Sequence, residues 1–355
     1  MSEYTIGQLV NRFVEQNLYK DQKIYKDSDL RVSSPDTYMG IELEIENWPG
    51  GSSFPGFSVH GDNSLRNNGV EWITYPTKLR HMDALLTAFF NKFRLAPLNY
   101  SERCSTHVHV NVQDFTPKQL TTLVLLYQLF ERLLFNFVEE GRRSNIFCVP
   151  WYQAGVTYEL VDHIENWDAP HIHGWQKYTA LNLLTIEQKG TVEYRHLEGT
   201  CDVKRIMTWC NLLGCMHAYA KSHSLDDVKN TIISLNTSSA YDVLLQDVFG
   251  EWTQVLQTGH HVIALEEGVL DCKYMLSQPI KAEPKKPKFI DPIATLRTAR
   301  AAQPRVRVLG GFDPNLVVRN EQVRQLIAAQ QADIRAVNDL AAQNVAPAWP
   351  ARAAR

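Results

Sequence analysis

The stretch Met39–Asn47, MGIELEIEN, decides how the rest of the chain is read. Glu42, Glu44 and Glu46 occupy every second position, with Ile41, Leu43 and Ile45 interleaved. Side chains along an extended strand point alternately to opposite faces, so the apolar residues share one face and the three glutamates share the other. One face is built for a core. The other crowds three like charges, which leaves two readings: an acidic face solvated at the surface, or carboxylates held together by cations.

The same alternation returns further along. CSTHVHVNV at 104–112 puts His107, His109 and Asn111 on one face and Val108, Val110 and Val112 on the other. The turn dipeptide Asn68-Gly69 precedes a predicted strand over 70–75 that carries Glu71, and GTVEYRHLE at 190–198 carries Glu193 and Arg195. KYTALNLL at 177–184 reads as one more strand. Between them, apolar spacing predicts helices over 79–94, from Pro117 to about residue 140, and over 203–221. Each polar motif has a plain explanation by itself, since His-x-His is commonly a polar strand face and Glu-x-Arg a surface ion pair. Taken together, four strands offer carboxylates and imidazoles on one side. That donor set suits a hard divalent ion such as Mg²⁺ or Mn²⁺ better than zinc, which would call for more His or Cys.

Composition adds bounds. Of 355 residues, 44% are hydrophobic and 21% charged, ordinary for a globular chain with a sizeable core. The opening MSEYTIGQLVNRF lacks the character of a secretory leader, and no apolar run is long enough to cross a bilayer, so a cytoplasmic location is expected and no membrane partner. Six cysteines without a Cys-x-x-Cys pair indicate reduced, mostly buried thiols. From residue 281 onward 13 Lys and Arg face 6 Asp and Glu, which leaves a net −10 for residues 1–280. The predicted organisation is an N-terminal helical arm over 1–30, a main domain over 31–280, a Lys/Pro-rich linker over 281–320 and a C-terminal helix and tail over 321–355. The late helix carries Val323, Ile327, Ile334, Val337 and Ala341 at rough heptad spacing and offers a surface for a homo-oligomer or a partner. Nucleic acid finds no matching fold motif.

The order of motifs resembles the amidoligases of the carboxylate-amine ligase superfamily, whose other members include glutamine synthetase and glutamate-cysteine ligase. The resemblance runs over about 38–222. It rests on GIELE at 40–44, DNS at 62–64 with GVE at 69–71, THVHVN at 106–111, Arg142-Arg143, KYTALNLL at 177–184 and GTVEYRHLEGT at 190–200. It implies an α+β fold, a curved, mostly antiparallel sheet of glutamine synthetase type with helices on its outer face. It also implies a ligase using ATP and Mg²⁺ or Mn²⁺ to join a carboxylate substrate to an amine acceptor, small molecule or peptide or protein, through an acyl phosphate. Phosphorylation of a guanidine nitrogen and a catalytically idle, ligase-like binding body are the alternatives.

Carried over residue by residue, the resemblance implies metal binding by Glu42, Glu44, Glu71, His107 and Glu193. His109 would approach phosphate oxygens. Arg195, with Glu193, would serve the transferring phosphoryl group, and Arg143 or Arg142 would bind phosphate or the substrate carboxylate. Asn111 and Ser64 complete the expected nucleotide site, although Asp62 and Ser64 are equally plain turn residues. Asn182 and Tyr178 are either site or packing residues, and Glu46 either extends the acidic row or supports it. His171 and His173, with His163, read as a zinc site or as a surface loop.

Overall fold

A computed structural model of the chain describes residues 4–18, 25–28, 30–50, 53–154 and 177–277. The chain divides into two units, Met1–Ala282 and Glu283–Arg355, the second lying wholly outside the described residues. The expected linker over 281–320, the late helix and the His163, His171 and His173 group therefore lie outside them too.

Strands β1 (Tyr38–Ile45), β2 (Phe57–Gly61), β3 (Val70–Thr74), β4 (Thr77–Lys78), β5 (Ser105–Asn111), β6 (Leu181–Asn182) and β7 (Thr191–Glu198) form one sheet in the order β2-β3-β1-β5-β7-β6, with β4 pairing beside β1. Every pairing is antiparallel. The alternation in MGIELEI has its expected effect: Ile41, Leu43 and Ile45 are at most 1% exposed and join the core with Val108, Val110, Val192 and Tyr194. Opposite faces of a strand meet opposite environments, and here one meets helices while the other meets a cleft.

The helical side begins with α1 (Leu79–Lys92), α2 (Pro117–Phe137) and α3 (Val203–Ser222). Pro117 opens α2 at the first turn, and Thr116 and Gln119 cap it reciprocally through side chain and backbone. Leu120, Leu123 to Leu126, Leu129, Phe130, Leu133 and Leu134 are all fully buried, so this helix is apolar round its circumference and lies between other elements. A further helix, α4 (His261–Ser277), packs along it. The approach is close enough that a Cβ on Gly268 would come within 2.1 Å of the Leu129 carbonyl oxygen, which requires glycine there. Under β2 and β3 the core is aromatic, with Trp72, Phe57 and Phe89 stacked or edge-on to one another.

Two expectations change. The N-terminal arm is not one helix: Ile6–Val10 is a single short helix ended by Asn11 in the left-handed region, and a 3₁₀ turn follows at Val14–Asn17. Leu9 and Phe13 are 38% and 40% exposed. KYTALNLL contributes only the two residues of β6, because the chain turns into a short helix at Thr185–Lys189.

Candidate active site

Register brings the polar faces together. On β1 Glu42 pairs with His107 of β5 and Glu44 with Glu71 of β3, while His109 of β5 pairs with Glu193 of β7. Four adjacent strands thus deliver four carboxylates and two imidazoles to one side of the sheet. The cleft has a volume of about 490 Å³, and Glu42, Glu44, Glu71, His107, Glu193 and Arg195 all line it.

The burial excludes the solvated reading of MGIELEIEN. Glu42 and Glu44 are each 6% exposed, and Glu193 is 4% exposed. Burial works to raise the Glu42 carboxyl, but His109 and His107 outweigh it and hold it well below the usual carboxylate range. Glu193 is held low in the same way, against burial, by His109, Arg195 and His107. Glu71 goes the other way: burial and the charges of Glu42 and Glu44 push it up to about 8. Neighbouring carboxylates driven apart like this mark a site built for charge rather than for stability.

Hydrogen bonds fix the donor set. Ser105 donates to Glu44 Oε2 through its amide at 2.7 Å and through its hydroxyl at 2.5 Å, because a carboxylate can only accept. The Ser105 oxygen is then left to accept from His107 Nε2 at 2.8 Å. The other ring nitrogen, Nδ1, faces Glu42 at 3.3 Å and Glu193 at 3.4 Å. A proton on that nitrogen, or a cation in its place, makes the arrangement attractive, so the residues fit a divalent ion. Two groups have ligand atoms within 4.8 Å of one another: Glu42, Glu71 and His107, and Glu42, His109 and Glu193. Oxygen and imidazole donors of this kind suit Mg²⁺ or Mn²⁺.

Arg195 is 7% exposed and fixed on two sides. Its Nε donates to the Phe147 carbonyl at 3.0 Å, and Nη1 pairs with Glu193. Asn182 Nδ2 holds the other Glu193 oxygen at 2.7 Å. A register shift between β5 and β7, after Thr106 and before Val108, sits beside Arg195. The extra residue on β7 lets His196 and Leu197 both enter the core while Arg195 stays on the cleft side.

Several expected site residues lie elsewhere. Arg142 is 3% exposed and donates to the carbonyls of His196 at 2.9 Å and Arg195 at 2.6 Å, so it braces the bulge and is not among the residues that line the cleft. Arg143 is exposed, pairs with Asn136 and lines a separate hollow. Asn111 accepts from the Gln113 amide at 3.2 Å and faces another pocket. The sequence marks a basic pair but cannot show that a bulge needs a donor for its carbonyls. Glu46 is 1% exposed, outside the cleft, and accepts from the Arg66 amide at 2.9 Å and Asn99 Nδ2 at 3.3 Å. It is a structural anchor. Ser64 and Asp62 do line the cleft, joined by an Asx turn from the Ser64 amide to Asp62 Oδ1 at 2.7 Å, and His109 stands behind Glu42 at 3.0 Å.

The sequence reading missed three participants: Lys189, whose Nζ lies 2.9 Å from Glu42 Oε1, Arg103, and Ser105. Ser105 had a signal, since it shares the alternation of His107 and His109. Lys189 had none. A family model described as "Putative amidoligase enzyme" matches residues 62–215, a span that includes Glu71, His107, His109, Glu193 and Arg195 but begins after β1. No curated protein matches the chain.

Proposed function

From the match of residues 62–215 to the amidoligase family model we propose that the protein is an ATP- and divalent-metal-dependent carboxylate-amine ligase. The observation that carries the reading is the convergence of Glu42, Glu71, Glu193 and His107 on one wall, with His109 close behind Glu42 and Arg195 in the same cleft. Ligase chemistry of this class brings a triphosphate to a carboxylate, and so needs concentrated positive charge in a site that excludes bulk water.

In the proposed reaction a carboxylate oxygen of the acid takes the γ-phosphoryl group, ADP leaves, and an acyl phosphate forms. The amine nitrogen then attacks the acyl carbon, phosphate departs, one amine proton is shed, and the C–N bond remains. Divalent ions, when held by Glu42, Glu71, Glu193 and His107, would supply charge neutralisation of the phosphate oxygens. Arg195 has the chemistry to stabilise the moving phosphoryl group, because its planar fork is permanently charged and its orientation is set by Phe147 and Glu193. Ser105 and Asn182 keep Glu44 and Glu193 aimed. Tyr178, 45% exposed, places its ring 5.8 Å from the Arg195 guanidinium and forms part of the cleft lining.

Product analysis tests this directly. The protein with ATP, Mg²⁺ and a panel of acids and amines is expected to yield ADP, phosphate and an amide. A stable phosphorylated nitrogen would instead favour guanidine phosphorylation. Absence of Mg²⁺-dependent ATP binding by calorimetry would end the enzyme reading in favour of a binding body.

A further inference from the structure

Nζ of Lys189 donates to Glu42 Oε1 at 2.9 Å, while Nε2 of His109 stands 3.0 Å from the same oxygen without a hydrogen bond. The two partners differ in freedom. His109 stands within β5 with its side chain 7% exposed and its Nδ1 tied to Thr191 at 3.0 Å. The Lys189 side chain is 48% exposed and reaches the carboxylate on a flexible four-carbon stem.

The backbone beneath Lys189 is fixed. Lys189 ends the short helix Thr185–Lys189, and Gly190 follows at φ +68°, donating its amide to the Ile186 carbonyl at 2.9 Å. Gln113 donates its side-chain amide to the Lys189 carbonyl at 3.1 Å, and a Cβ on residue 190 would come within 2.4 Å of the Gln113 side chain. A left-handed turn that only glycine fits therefore sets where the lysine starts, while its ammonium keeps room to swing. Nothing about a salt bridge of purely structural use would call for placement over the carboxylate shared by both potential metal triads.

We propose that Lys189 is a displaceable counter-ion that couples metal binding to phosphate binding. Its ammonium and a divalent ion compete for Glu42, so the ion binds by lifting Lys189 off. The freed ammonium then contacts the polyphosphate, the anion that arrives chelated to the same ion. Metal and polyphosphate thereby favour each other through one side chain, and the coupling is reciprocal. This rests on the metal and nucleotide reading above.

The test uses the full chain and Mn²⁺, with the Mn²⁺ electron-paramagnetic signal or calorimetry as readout, for wild type, Lys189→Gln and Lys92→Gln, an exposed lysine at the end of α1 that does not line the cleft. Lys189→Gln is expected to bind Mn²⁺ alone about fivefold tighter and the Mn²⁺ complex of a non-hydrolysable ATP analogue about fivefold weaker, the scale of a partly exposed charge pair. Lys92→Gln is expected to change neither. The opposite signs are the signature. If wild type binds Mn²⁺ and the analogue complex but Lys189→Gln leaves Mn²⁺ affinity unchanged or weaker, or leaves the analogue complex as tight as before, the lysine is a static ion-pair partner and the proposal falls alone. If wild type binds neither Mn²⁺ nor the analogue complex, the metal and nucleotide reading falls with it.

Discussion

At the scale of single residues, the cleft separates groups that the sequence presents as equals. Glu42, Glu44 and Glu46 alternate identically, yet only the first two line the cleft, while Glu46 is held by the Arg66 amide and Asn99. Glu46→Ala is expected to cost about 1–3 kcal/mol in denaturant unfolding, because it strands buried donors, and to leave Mn²⁺ affinity near wild type. Glu193→Gln and Arg195→Ala should behave in the reverse sense: ATP conversion to ADP falls about 100-fold or more while circular dichroism still reports the native fold. Near-normal turnover in either variant would remove these two residues from the chemistry. The types of residue in the site were legible beforehand from alternation. Arg142 was legible only as a charge, because its role depends on two carbonyls exposed by a bulge that no local pattern announces.

At the scale of elements, the helix α2 carries a second buried polar system behind the sheet. Glu131 is fully buried and accepts from the Trp151 amide at 2.7 Å, the Tyr152 amide at 3.4 Å and the Tyr127 hydroxyl at 2.8 Å. Because Tyr127 donates to Glu131, its oxygen accepts from His196 Nε2 at 3.0 Å, and Nδ1 of His196 is left as a lone pair without a partner. Burial and the Arg142 charge push His196 down to about 3, in keeping with a neutral ring. Burial pushes Glu131 up to about 7, against the hydrogen bonds from Trp151, Tyr127 and Tyr152. The unfolded chain loses this proton near 4.5, so between 4.5 and 7 the folded protein holds a proton that the unfolded chain has shed. The stability carried by this group is complete below about 4.5 and is lost as pH rises through 7. Glu131→Gln should therefore gain on wild type by about 3 kcal/mol between pH 4.5 and 8, measured by chemical unfolding at a series of pH values. A difference that stays flat with pH would mean that Glu131 is ionised in the fold throughout.

At the scale of the whole molecule, a sheet with helices on one face leaves the other face to the cleft, and no helix among the described residues is long and apolar enough to cross a membrane. Divalent ions binding on that face stabilise only the folded state. At 100 times the dissociation constant, Mn²⁺ should add about 2.7 kcal/mol, or roughly 5–11 °C in the melting temperature, abolished by a chelator. Since the chain divides after Ala282, a version ending there is expected to melt cooperatively and to keep the same Mn²⁺ shift. Loss of that shift would tie the site to residues beyond 282.

The sequence by itself determined the strands that bear the site and the kind of chemistry on them. A period of two is imposed by the geometry of an extended backbone, so MGIELEIEN, THVHVN and TVEYR declare their faces without reference to anything else. Tertiary structure alone decided which of those groups meet. Pairing register sets Glu42 opposite His107 and Glu44 opposite Glu71, a bulge keeps Arg195 on the cleft side with its carbonyl held by Arg142, and a glycine turn brings Lys189 across 147 positions of sequence to Glu42. Those are contacts between segments far apart in the chain, where energy depends on distance in space and no local propensity carries the information.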